Sequence, residues 1–120
     1  MEVYAETIKH DLQRYPTVGD YCWYRDLHRI FISDTGNEDY NFLICIHELI
    51  ESYLAKRAGI ELNDIDKFDL DYDGEGEPGN DPECPYRKFH KIASEIEMLL
   101  CDEMDLDWEE YDIAVNKLFE

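Results

Sequence analysis

Apolar and polar residues alternate with a strand-like period in the first third of the chain. Residues 21–25 and 28–33 are rich in aromatic and β-branched side chains, and the short break between them predicts a β-hairpin. Residues 3–8 alternate more weakly, a pattern that fits either a strand or a helical turn. The Pro and Gly residues of segment 15–20 mark a loop in front of the hairpin.

The remaining two thirds of the chain show the period of amphipathic helices. The strongest segment, 38–58, carries apolar residues at helical spacing and is followed by a glycine, a typical helix stop. A second helix is predicted from about residue 86 to residue 103, and segment 107–119 repeats the pattern. Between the first two helices, residues 61–85 are rich in Asp, Glu, Gly and Pro. They predict a long acidic loop with room for a short helical turn at 63–68.

Together these elements predict a single α+β domain over residues 1–120. A small N-terminal antiparallel β-hairpin or sheet would pack on the two long helices, and a C-terminal helix would complete the fold. The length fits one domain. Hydrophobic residues make up 44% of the chain and aromatic residues 13%, which is enough apolar surface for a core.

The charge restricts the kinds of partner. There are 11 Lys and Arg residues against 30 Asp and Glu residues, so the formal net charge is −19. Binding to nucleic-acid phosphates needs clustered basic residues, and anionic membrane surfaces repel an acidic chain. We therefore expect no nucleic-acid partner and no membrane partner. A metal cation, a basic protein partner or a peptide substrate is compatible with this charge.

Cysteine usage and the N-terminal residues indicate the compartment. Cys22, Cys45, Cys84 and Cys101 are widely spaced and form no CxxC pair, which argues against a zinc site built from cysteines. The first residues show neither the basic region nor the apolar region of a signal peptide. We therefore expect reduced thiols and a cytoplasmic location.

The sequence His-Glu-Leu-Ile-Glu in the first long helix is the strongest candidate for chemistry. His47 and Glu51 are one helical turn apart, so they lie on the same face, beside the apolar stripe. A buried carboxylate needs a partner, and a divalent metal held by the His47 and Glu51 pair is one such partner. Antiparallel packing of the helices would bring His90 opposite this pair as a third ligand. Glu48 would then act as the base that accepts a proton from water. Glu97 shares the helix strip of His90 but lies two turns further on, so it is a weak candidate for an outer hydrogen-bond acceptor. The alternative is a simple hydrogen bond between His47 and Glu51 without a metal.

Other candidate ligands are weaker. Residues 69–75 match the opening half of an EF-hand loop, with alternating carboxylates and then a glycine. The second half does not match, because Gly76 replaces an apolar residue and Asn80 stands where a bidentate Glu is needed. A solvated acidic loop is favoured there over a weak Ca²⁺ or Mg²⁺ site. His10 and His28 lack a partner at ligand spacing and are expected at the surface or at a strand edge.

Several blocks in order resemble a group of small phage and prophage proteins. These blocks are residues 15–20, 32–34, 47–51, 57–60 and 77–79, and residues 85–86 leading to His90. The HExxE helix of that group is similar to the helix of compact zincin-like metalloproteins. The resemblance implies a minimal zincin-like fold, a Zn²⁺ ion held by His47, Glu51 and His90, Glu48 as the base, and a bacterial host cell.

Two departures from the zincin pattern bear on activity more than on metal binding. Glu51 replaces the usual second histidine, and Arg87 stands where relatives often carry a further histidine.

Two functions from different classes follow. The first is a metal-dependent hydrolase or peptidase of phage or prophage origin. The second is a non-catalytic acidic binding protein, for example an inhibitor that imitates DNA or covers a basic surface of a host protein.

Overall fold

A three-stranded sheet at the N-terminus packs against the helices that follow it. The computed structural model describes all 120 residues, Met1–Glu120. The strands are β1 (Glu2–Ile8), β2 (Gly19–Tyr24) and β3 (Leu27–Ser33), and the helices are α1 (Glu38–Arg57), α2 (Leu62–Asp71), α3 (Arg87–Glu103) and α4 (Trp108–Lys117). The predicted α+β class, with a small sheet on two long helices and a C-terminal helix, is confirmed.

The sheet is mixed, with the strand order β1-β3-β2. The hairpin of β2 and β3 is antiparallel, as predicted, with Tyr21 opposite Ile30. The weakly alternating first segment is a strand, but it pairs with β3 in parallel, with Ala5 opposite Ile30. The prediction of an antiparallel sheet was therefore wrong for β1. Strand β2 follows β1 in the sequence and runs in the opposite direction. Strand β3 reverses direction again, so β1 and β3 point the same way.

The two long helices form much as their patterns predict. The Asn37 side chain accepts a hydrogen bond from the Tyr40 amide at 3.2 Å and caps α1, and two acidic residues lie in the first turn. The helix stops before Gly59, whose φ of +81° is easily adopted only without a side chain. Helix α1 packs on α3 and on strands β2 and β3, so its central face is enclosed by both layers.

The acidic segment 61–85 is not one long loop, which corrects the prediction. Its first part forms α2, because Leu62, Ile65 and Phe68 recur at spacings of three and pack on the core. The solvated loop that was favoured over an EF-hand site at residues 69–75 also needs correction, because residues 69–71 belong to α2. Asp69 lies within α2, where its carboxylate accepts hydrogen bonds from two tyrosines.

His28 is fully buried, so its expected place at the surface or at a strand edge was wrong. Its ring stacks on Trp23 with 3.8 Å between centroids, and Nε2 lies 2.6 Å from Ser52 Oγ. The Ser52 hydroxyl donates to the Glu48 carbonyl oxygen at 2.6 Å. The Nε2–H of His28 therefore donates to Ser52, and the unpartnered Nδ1 carries a lone pair rather than a proton.

The four cysteines are free thiols. None of the helices combines the length and the apolar character that a membrane span requires.

His28 should make the protein less stable in acid. Burial, together with the charge of Lys56, lowers the pKa of His28 from 6.5 to about 4. The unfolded chain binds this proton near pH 6.5 and the folded protein only near pH 4. The stability contribution of the neutral ring is therefore full above pH 6.5 and is lost as the pH falls towards 4, by at most about 3 kcal/mol.

Urea unfolding of the wild type and of His28→Gln at pH 7 and at pH 4.5 measures this contribution. The drop in the free energy of unfolding between the two pH values should be smaller in the variant by roughly 2 kcal/mol. An equal drop in both proteins would contradict the assignment.

Candidate metal centre

Two helices bring two imidazoles and one carboxylate together in the interior. His47 and Glu51 extend from adjacent turns of α1, and His90 extends from the first turns of α3. The side chains of all three are at least about nine-tenths buried. Glu51 Oε2 lies 3.0 Å from His47 Nε2 and 2.9 Å from His90 Nδ1, and the two ring nitrogens are 3.2 Å apart.

These three atoms fit the coordination of a small divalent ion. Ligand atoms around a tetrahedral zinc ion are about 3.3 Å apart, because each bond is roughly 2.0–2.2 Å long. The observed triangle is slightly smaller, so a point about 2.1 Å from all three atoms exists beside it. His47, Glu51 and His90 thus form a buried group that could hold a metal ion.

Hydrogen bonds at Nδ1, on the side of the ring away from Glu51, orient His47. Its Nδ1 lies 2.8 Å from Glu97 Oε1, and the Tyr111 hydroxyl donates to Glu97 Oε2 at 2.5 Å. When Nδ1 carries the proton and donates it to Glu97, the Nε2 lone pair is directed at Glu51 and His90. Metal-binding histidines commonly make this type of contact with a carboxylate. The second oxygen of Glu51 accepts from the Tyr21 hydroxyl at 3.2 Å.

His90 is enclosed by a loop and a glycine. Glu77 Oε2 lies 2.9 Å from His90 Nε2, an ionic contact when the ring is protonated. Gly79 packs against the ring so closely that a Cβ atom there would lie 2.4 Å from His90 Cγ. Position 79 therefore needs glycine for His90 to occupy this place.

Glu48 lines the same cavity as the three candidate ligands. Its half-buried side chain packs against Gly19 at the start of β2, where a Cβ atom would lie 2.4 Å from Glu48 Cδ. Burial and the charge of Glu51 raise the pKa of Glu48 well above its usual value. A raised pKa makes a carboxylate a better proton acceptor than an ordinary exposed one.

Glu51 favours the charged forms of the two histidines. Burial alone would lower the pKa of His47, but its hydrogen bonds with Glu51 and Glu97 outweigh burial and hold the pKa well above 6.5. Burial opposes the charge on His90 as well, yet Glu51 and Glu77 raise its pKa to about 9. In turn, the imidazoles hold the pKa of Glu51 below its usual range against the effect of burial. The site therefore attracts positive charge, whether protons or a metal ion.

The cavity in front of these residues has a volume of about 440 Å³. Carboxylates of Glu48, Glu51, Asp69 and Glu77 line it, and no Lys or Arg does. An open, acidic cavity beside three converging ligands suits a cation that keeps one coordination position for a small molecule.

The sequence predicted the centre of this arrangement but not its surroundings. His47, Glu48, Glu51 and His90 lie together, and Glu97 contacts His47 as an outer acceptor. Sequence reasoning missed a further set of residues that close the site, namely Tyr21, Tyr111, Glu77, Gly19 and Gly79. Only the blocks 15–20 and 77–79 of the resemblance drew attention to the two glycines.

No family model, no curated protein and no solved structure matches this chain. The chemistry of the site is therefore argued from its own geometry.

Metal binding should release protons and strengthen with pH. Because the pKa of His90 is raised to about 9 and that of His47 also lies above its usual value, an ion must displace protons from the site. Zinc titrations by calorimetry in two buffers of different ionisation enthalpy should show release of about one proton or more per ion. The affinity should rise from pH 6 to pH 8. Binding with no dependence on pH or buffer would contradict this arrangement.

Glu97→Gln should weaken zinc binding about 10- to 100-fold without abolishing it, because His47 loses the charged acceptor that orients it. Glu95→Gln is the matched control, since Glu95 is exposed on the same helix. Competition with a fluorescent chelator measures both affinities. Equal affinities for the two variants would show that Glu97 does not support the site.

Proposed function

We propose that the protein is a zinc-dependent hydrolase that cleaves an amide bond, with a peptide as the favoured substrate. The observation that carries the proposal is the convergence of His47 Nε2, Glu51 Oε2 and His90 Nδ1, each within 3.2 Å of the other two, at the wall of an open cavity. Three protein ligands and an open position are typical of catalytic rather than structural zinc sites.

Zinc is favoured over harder ions by the donor set. Two imidazole nitrogens and one carboxylate oxygen suit zinc, whereas Mg²⁺ and Ca²⁺ prefer oxygen ligands alone. The buried position of all three donors also favours an ion that has lost most of its water. Such an ion supplies Lewis acidity and makes a water molecule nucleophilic near neutral pH.

Glu48 is the residue to which we assign the proton transfers. It lines the cavity beside the ligands, and Gly19 gives its side chain room to approach them. In the proposed reaction, Glu48 accepts a proton from the attacking water as the oxygen bonds to the carbonyl carbon. Glu48 then returns that proton to the nitrogen as the C–N bond breaks.

The other residues hold the reacting groups in place. Glu97 and Tyr111 fix the ring of His47, and Tyr21 fixes the second oxygen of Glu51. Fixed ligands of this kind lower the reorganisation needed during the reaction. These hydrogen bonds support a preorganised site rather than a chance contact of acidic and basic groups.

Glu48→Gln separates metal binding from catalysis. The zinc-loaded wild type should cleave members of a peptide library, as detected by mass spectrometry, and the variant should lose at least about 100-fold in rate because its amide cannot accept a proton. Both proteins should retain one zinc per chain by elemental analysis. Glu51→Gln should lose zinc and activity together, and Glu95→Gln should retain both.

Two results would count against the hydrolase. One is a wild type with stoichiometric zinc that cleaves no peptide in the library. The other is a protein purified without added metal that contains none and keeps its full stability in chelator. The non-catalytic acidic binding protein would then be the better hypothesis.

A further inference from the structure

The cavity carries more negative charge than one divalent ion offsets. The two positive charges of a zinc ion would offset the negative charges of Glu51 and Glu48. The carboxylate of Glu77 lies beside the ring of His90. Asp69 remains, and no Lys or Arg lines the cavity to pair with it. Arg14 is already engaged, at 2.6 Å from Asp20 and 3.1 Å from Asp66. A partly buried carboxylate without a basic partner is costly, so its presence in a cavity wall calls for an explanation.

The carboxylate of Asp69 is held in one orientation. The Tyr15 hydroxyl donates to Oδ2 at 3.2 Å, and the Tyr86 hydroxyl donates to Oδ1. The three residues come from separate segments, the loop before β2, helix α2 and the start of α3. Each carboxylate oxygen keeps a free lone pair, and both tyrosines line the same cavity as Asp69. Burial, together with the charges of Glu51 and Asp66, raises the pKa of Asp69 to about 6 against the effect of the two tyrosine hydrogen bonds.

His90 does not supply a second free group in the cavity wall, because its Nε2 lies 2.9 Å from Glu77 Oε2. Asp69, by contrast, has no basic side chain among its contacts. The wall therefore offers the Asp69 carboxylate as an acceptor for a positive group.

We propose that Asp69, with the rings of Tyr15 and Tyr86 beside it, binds the positively charged side chain of a substrate residue next to the bond that is cleaved. The ligand chemistry is a lysine ammonium or an arginine guanidinium within a peptide. This inference rests on the proposed hydrolase and specifies its substrate. The carboxylate pairs with the cation, and the aromatic rings contact its aliphatic stem and its charge.

Binding of three small hydroxamates to the zinc-loaded protein tests the subsite without relying on turnover. The probes are the hydroxamates of acetyl-lysine, acetyl-norleucine and acetyl-glutamate. The hydroxamate group binds zinc in each, and only the side chain differs. We expect the lysine probe to bind about tenfold more tightly than the norleucine probe, and the glutamate probe to bind most weakly, as measured by calorimetry.

Asp69→Asn should reduce the preference for lysine over norleucine to about one. Asp64→Asn is the matched control, because it removes the same charge from an exposed position on the same helix. It should keep the preference. Thermal unfolding of both variants shows whether each is folded, and the wild-type comparison stands even if Asp69→Asn does not fold.

The outcomes separate the two proposals. Equal binding of the lysine and norleucine probes to the wild type would overturn the subsite and leave the hydrolase intact. The same loss of preference in both variants would also overturn it, because the general negative field would then be responsible. Failure of every hydroxamate to bind a protein that holds zinc would count against the hydrolase itself.

Discussion

The burial of ionisable side chains between α1 and α3 is the constraint on which the rest of the structure depends. A carboxylate removed from water is costly unless its oxygens are paired. Glu51 and Glu97 each meet this requirement with an imidazole on one oxygen and a tyrosine hydroxyl on the other. The tyrosines belong to β2 and α4. The sheet and the C-terminal helix must therefore both be in place before the pair of long helices can bury its charges.

Stability alone is a poor explanation for such a cluster. Replacing a buried ion pair by apolar side chains of similar size often leaves stability unchanged or raises it, because the cost of desolvation offsets the attraction. A chain of this length has a small core, which contributes only modest stability. The cost is better explained by a ligand that these groups bind. The absence of basic residues from the cavity wall favours a cation as that ligand.

The helical part of the site could be predicted because its information is local. The spacing of His47 and Glu51 fixes their common face whatever surrounds the helix. His90 required only the further assumption that α1 and α3 pack together. Tyr21 and Tyr111 had no such signal, since their contacts depend on how a strand and a distant helix are placed in three dimensions.

The errors in the fold have equally physical causes. In α2, the many acidic residues obscured the apolar positions Leu62, Ile65 and Phe68, which decide the structure because they contact the core. The parallel pairing of β1 depends on the path of the chain, which local alternation does not contain. His28 lies on the same face of β3 as Ile30 and Ile32, and this face packs against α1. Its burial therefore depends on the packing of the helix on the sheet.

The net charge of −19 has different meanings at the surface and in the cavity. Charges on the surface are screened over about 8 Å at physiological ionic strength, so distant carboxylates contribute little to the potential beside the candidate ligands. Inside the cavity the solvent screens less, and the few carboxylates of the wall dominate. The surface charge therefore favours the approach of any cation, whereas the carboxylates of the cavity wall determine which cation binds. Asp69 is the one carboxylate of that wall that two hydroxyls orient and no basic group neutralises, so selectivity for a charged side chain should reside there.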